Sequence, residues 1–169
     1  MTENDPILSF NSSRFGDLEI PAERLITSPE GIIGFPDFRR YALLDPSAGQ
    51  SAFIWLHAVE NPDLAFIVTD PKVFFPDYEI RTDIPDLQRL GLLEKEPPAV
   101  FVIVTVPANN PEKINANLLA PLLYFRSDNT MFQVVLEGTD WPLRAPLIEL
   151  LEQEEAAGDE STGASGEVQ

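Results

Sequence analysis

Apolar residues fall in short runs along this chain, separated by Pro, Gly, Asn and Asp. FIWLHAV, residues 53–59, is apolar on both parities apart from His57. That pattern predicts a strand covered on both faces. The turn ENPD follows, then LAFIVTD at 64–70, and the pair predicts an antiparallel hairpin. AVFVIVTVP at 99–107 is rich in β-branched residues and gives the strongest strand signal. ANLLAPLLYF at 116–125 and TMFQVVLE at 130–137 flank RSDN, a second hairpin. Pro121 interrupts the first of these runs, so it is an edge strand or bends at a bulge. FGDLEI (15–20) and RYALLD (40–45) add short strands, and EGIIGFPDF (30–38) reads as a turn between them. In TDIPDLQRLGL (82–92), Thr82 or Asp83 is placed to cap, Pro85 suits a first turn and Gly91 ends a short helix.

These elements predict a mostly β fold: a small antiparallel β-barrel-like single domain with one or two short helices, a sandwich being the other closed form. Residues 1–12 read as a flexible lead-in and 13–148 as the β domain. Residues 149–169 read as an acidic tail, disordered where AAGDESTGASGEVQ supplies no core former.

Composition narrows the function. The chain has 169 residues and no cysteine, so it has neither disulfides nor a thiolate site, which fits a reducing compartment. MTENDPILSF lacks a positive n-region and a long apolar run, so no signal peptide is expected. No uninterrupted apolar stretch reaches the ~18 residues of a membrane-spanning helix, and the cytoplasm is the expected location. The net charge is −17, and removing the seven acids of 149–169 leaves −10 on residues 1–148. An acidic body repels phosphate backbones, which argues against direct nucleic-acid binding, and it attracts basic proteins. The same charge also serves solubility.

Candidate chemistry is sparse. A Ser-His-Asp triad would have to use His57, the only histidine, and its strand setting reads as a hydrogen-bonded core position. One histidine and no cysteine cannot make a zinc site. Asp63, Asp70 and Asp77 are possible hard-cation ligands, but NPD, TDP and FPD are also turn chemistry. No phosphate-cradling glycine motif occurs, and no cofactor is expected. Recognition surface remains. FFPDYE sets aromatics beside acids at a proline bend. If that segment is extended, Phe74 and Phe75 point to opposite faces, and one ring is left outside for a partner. Two other classes stay open: a small-ligand or carbohydrate-binding β module with a cleft lined by Trp55 or Trp141, and a carboxylate hydrolase.

Four stretches carry a resemblance: GIIGFPDFRRYALLD (31–45), NPDLAFIVTDPKVFFPDYEI (61–80), NANLLAPLLYF (115–125) and QVVLEGTDWPLRAPL (133–147). In this order and spacing the chain resembles the flagellar assembly factor FliW family, from about Phe15 to Leu147. The resemblance implies a barrel-type protein without catalytic activity and with two protein partners. One is flagellin, held in the cytoplasm before export. The other is CsrA, a dimeric RNA-binding repressor of translation. Flagellin-occupied protein leaves CsrA free to repress; flagellin export releases the protein to bind CsrA, two copies per dimer. The free protein is expected to be monomeric. Asp70, Phe75, Asp77 and Tyr78, with Asn117 and Pro121, are expected to border the partner-binding face. Two positions depart from the family pattern: His57 stands where Gln is usual, and Ala145 where His is usual. The acidic extension also runs past the usual family end.

Overall fold

The computed structural model describes residues 6–147; the acidic segment from Glu149 lies outside them. Eleven strands are described: β1 (Ile7–Ser12), β2 (Gly16–Pro21), β3 (Ile26–Thr27), β4 (Arg40–Leu44), β5 (Phe53–Ala58), β6 (Ala65–Thr69), β7 (Ala99–Thr105), β8 (Asn115–Ala116), β9 (Leu122–Phe125), β10 (Thr130–Gln133) and β11 (Ala145–Pro146). One short helix, α1 (Pro85–Arg89), and several 3₁₀ turns complete the chain.

Seven strands close into a barrel in the order β7-β6-β5-β4-β3-β10-β9, and β9 pairs back onto β7. The predicted hairpins form: Leu56 faces Phe66 across β5 and β6, and Met131 faces Tyr124 across β9 and β10. One pairing departs from the antiparallel expectation. β3 meets β10 in parallel through Thr27 and Thr130. It is the seam that closes the ring, and a single residue pair is enough there. β8 and β9 both run antiparallel to β7, Ala116 facing Val104 and Leu122 facing Phe101. They are one strand line interrupted by the bulge Asn117–Pro121, the second of the two forms that Pro121 predicted. β11 extends the sheet beyond β8, a strand too short for the sequence pattern to mark.

Alternation splits the apolar residues between two cores. Ile26, Tyr41, Leu56, Val68, Phe101, Leu122 and Met131 come from all seven barrel strands and fill the lumen. The turn after β3 plugs one end with Ile32. Its Gly31 has φ +72°, and a Cβ there would meet Pro36 Cα at 2.7 Å, so only glycine fits. The opposite faces of β7 and β9 carry Val102, Val104, Leu123 and Phe125 into an outer core. The loop following β6 and the segment before β11 cover it.

The both-faces pattern of β5 has a local cause. Ile54 and Leu56 point into the lumen, while Trp55 and His57 point outward beneath the β1–β2 hairpin. Residues 7–12, expected as part of a flexible lead-in, therefore form β1, paired with β2 from Ile7–Pro21 to Ser12–Gly16. Phe10 and Ile20 anchor the hairpin on Ala42. His57 is buried, as its strand setting predicts. Its Nδ1 lies 2.8 Å from the Ala58 carbonyl and its Nε2 2.7 Å from Ser12 Oγ. A carbonyl can only accept, so Nδ1 carries the proton and the Ser12 hydroxyl donates to Nε2. Ser12 Oγ in turn accepts from the Arg14 and Phe15 amides. This side chain ties hairpin to barrel.

Candidate partner interface

The stretch DPKVFFPDYEI begins where β6 must stop. Pro71 has no N–H to continue the ladder, so the chain leaves the sheet. The Asp70 carboxylate accepts from the Lys72 amide at 2.9 Å and caps the 3₁₀ turn Pro71–Val73. The segment is thus helical, not extended. The Phe74 and Phe75 amides both donate to the Pro71 carbonyl, at 3.2 and 2.8 Å. That winding corrects the parity expectation: both rings lean on the outer core, Phe74 buried and Phe75 half-buried. Phe74 stacks on Phe53 with centroids 5.7 Å apart.

Tyr78 closes the layer. It is buried, its hydroxyl donates to the Leu118 carbonyl at 2.7 Å, and Trp141 lies against its ring at 4.7 Å. Burial pushes its phenol well above the usual tyrosine range. Helix α1 follows, with Ile84 and Leu87 in the outer core. Its N-cap is Ile84, not Thr82 or Asp83; Asp83 pairs with Arg81 instead. The Asp86 carboxylate accepts from the Val135 amide at 2.9 Å and fixes the helix to the barrel.

Between this layer and β7 runs a groove of about 700 Å³, whose apolar floor includes Pro71, Ile80, Leu92 and Val100. Asp70, Lys72, Glu79, Lys95, Glu96 and Arg126 supply its charged lining. Exposed Val73 and Leu93 belong to the same layer. A second groove, about 780 Å³, lies along β7, β8 and β11, with Ile103, Lys113, Asn117, Leu143 and Arg144 on its walls.

The six expected interface residues divide. Asp70 and Tyr78 reach the first groove and Asn117 the second, linked through the Tyr78–Leu118 bond. Tyr78 and Pro121 are buried beneath that surface. Asn117 Oδ1 accepts from the Leu119 and Ala120 amides at 3.1 and 3.0 Å, which commits it to shaping the bulge. Only Asp77 and the open part of Phe75 present side chains outward with no hydrogen bond among the described residues. Leu93 and Val100 were missed in the sequence. No local pattern separates them from core residues.

The displaced carboxyls lie below their usual range, among them Asp83 beside Arg81, Glu96 under the Ser127 amide and hydroxyl, and Asp128 beside Lys95. Trp55 is covered by Arg14, 4.5 Å above its ring, and by the edge of Phe15; Trp141 is used by Tyr78. Neither lines either groove. Ala145 is buried in the outer core, with no polar side chain to offer at that position. Among the described residues no helix is long and apolar enough to cross a membrane.

Comparison with known proteins converges on one family. The model of the FliW protein family matches residues 9–147. A flagellar assembly factor FliW of Natranaerobius thermophilus is 34% identical over 161 residues, covering 95% of this chain and 100% of that protein. One from Heliobacterium modesticaldum is 37% identical over 151 residues, covering 89% and 97%. A crystal structure of the flagellar assembly factor FliW superposes with a TM-score of 0.72 at 30% identity, covering 83% of this chain and 96% of that one. The matched span takes in the barrel, the outer layer and both grooves, and on these grounds the chain belongs to the FliW family of flagellar assembly factors, not to a family of enzymes.

Proposed function

We propose that this protein binds flagellin in the cytoplasm and antagonises the translational repressor CsrA, coupling flagellin synthesis to export. The observation that carries this reading is family membership across nearly the whole described body, residues 9–147. The charge supports it. A surface with net −17 complements a basic RNA-binding protein and repels the RNA that competes for it. Flagellin and CsrA then compete by mass action: flagellin lowers the free protein available to CsrA. The free protein acts as a monomer, and two copies bind a CsrA dimer. Asp77 and the open part of Phe75 contact the partner; Asp70, Tyr78, Asn117 and Pro121 hold that surface in shape.

The test is a titration with CsrA and flagellin of the same organism, separately and in competition, at two salt concentrations. Both partners bind, flagellin displaces CsrA, and CsrA affinity falls with salt. Absence of binding by either at micromolar concentration would overturn the proposal.

A further inference from the structure

β7 has one stretch with a free edge. On one side it pairs with β9 through residues 99–101 and with β8 from Val104. On the other it pairs with β6, but only through Val102, Ile103 and Val104. Continuing that register would set residue 71 opposite Val100, and residue 71 is the proline at which the chain turns away. The direction of the Val100 main chain follows from its neighbours. The Ile103 carbonyl accepts from the Asn117 amide, so odd-numbered β7 residues point to the β8–β9 side. The Pro121 carbonyl accepts from Val134, which turns the main-chain groups of Leu122 and Tyr124 toward β7, opposite Phe101 and Ala99. Val100 therefore aims its N–H and C=O at the side β6 has left. Among the described residues no turn or loop backbone group bonds to either of them. Val100 itself lines the first groove.

We infer that this groove takes an extended polypeptide segment of the partner, which adds to the sheet by pairing with Val100. The inference deepens the proposed partner binding and rests on it. A half-buried amide and carbonyl on a groove floor specify another main chain as ligand, since an extended backbone supplies one donor and one acceptor at the same residue. Pro98 follows the same side and offers a further carbonyl, while its missing N–H, with Pro71, keeps the site short. Leu92, Leu93 and Ile80 are placed to take alternate apolar side chains of the added segment. The groove's charges are mixed: Asp70, Lys72, Glu79, Glu96 and Arg126 line it together with Lys95, which is paired with Asp128, so the added segment is selected by its main chain and its apolar side chains.

Amide hydrogen exchange by NMR tests this on the full chain, free and saturated with CsrA or with flagellin. In the free protein the Val100 amide exchanges faster than those of Ala99 and Phe101, which β9 protects. Binding of at least one partner slows Val100 selectively. Val100→Pro removes the outward N–H without touching the β9 ladder; it weakens that partner by about fivefold to tenfold, the loss of one main-chain bond. Should this variant fold poorly, N-methylation along a synthetic peptide spanning the protected partner region gives the same readout, with losses at every second residue. If partners bind but the Val100 amide keeps its exchange rate, or N-methylation shows no period of two, the strand-addition inference fails and partner binding stands. If neither partner binds, both fail.

Discussion

The two cores of this molecule are built by different rules, and two tyrosines mark the difference. The lumen is filled from the seven barrel strands, one side chain every second residue, so the ladder itself places them. Of its buried side chains the outer core takes only Val102, Val104, Leu123 and Phe125 from those seven strands, and most of the others come from irregular chain, among them Phe74, Tyr78, Leu92, Leu118 and Leu136. There a turn, a cap or a side-chain bond must place each group. Tyr41 stands in the lumen with its hydroxyl buried and without a partner among the described residues. Tyr78 stands in the outer core with its hydroxyl on Leu118. A ladder tolerates an unsatisfied hydroxyl because the strand pairing holds the ring regardless. The irregular layer uses the hydroxyl as its fastener.

The contrast can be broken most strongly from the inside. Leu56→Ala empties fully buried lumen volume and should cost about 3 kcal/mol in urea unfolding, lowering the stability of the whole domain as one transition. Alkaline titration comes next. Burial, then the nearby Glu60, pushes Tyr41 up to about 12, and burial raises Tyr78 further. The neutral phenol is favoured in the fold. Stability is thus intact below the unfolded value near pH 10 and is lost as pH rises toward 12, by about 2–3 kcal/mol for Tyr41. Tyrosinate absorbance of these two residues should appear together with loss of the fold.

Hydroxyl removal sharpens the comparison. Tyr78→Phe leaves the buried Leu118 carbonyl unpaired and should cost about 1–2 kcal/mol, with faster amide exchange in 117–120 ahead of global unfolding. Tyr41→Phe removes only an unpaired hydroxyl and should leave stability unchanged or raised by up to about 1 kcal/mol. Equal losses in the two variants would erase the distinction. The smallest effect on stability is expected at Asp77→Lys. The side chain is exposed, so the thermal midpoint should stay nearly unchanged while partner affinity falls. A midpoint that falls with affinity would make Asp77 structural.

Legibility followed the same division. Hairpins β5–β6 and β9–β10, the strand β7 and the bulge at Pro121 were readable because periodicity, turn residues and proline each act within a few positions. The lead-in was misread because Leu8, Phe10 and Leu18 find their partners only on the outer face of β4 and β5. The parity of Phe74 and Phe75 was misread because an Asp cap wound the segment into a turn. Of the six expected interface residues Tyr78 and Pro121 lie buried, since aromatic and proline side chains at bends serve packing and recognition with the same chemistry. Charge, the absence of cysteine and the short strand runs are properties of the chain itself, so the sequence by itself determined an acidic, mostly β domain and its family signature. Which ring faces inward, which way the Val100 main chain points and where the grooves open depend on contacts between residues far apart in the chain, and only the closed barrel decided them.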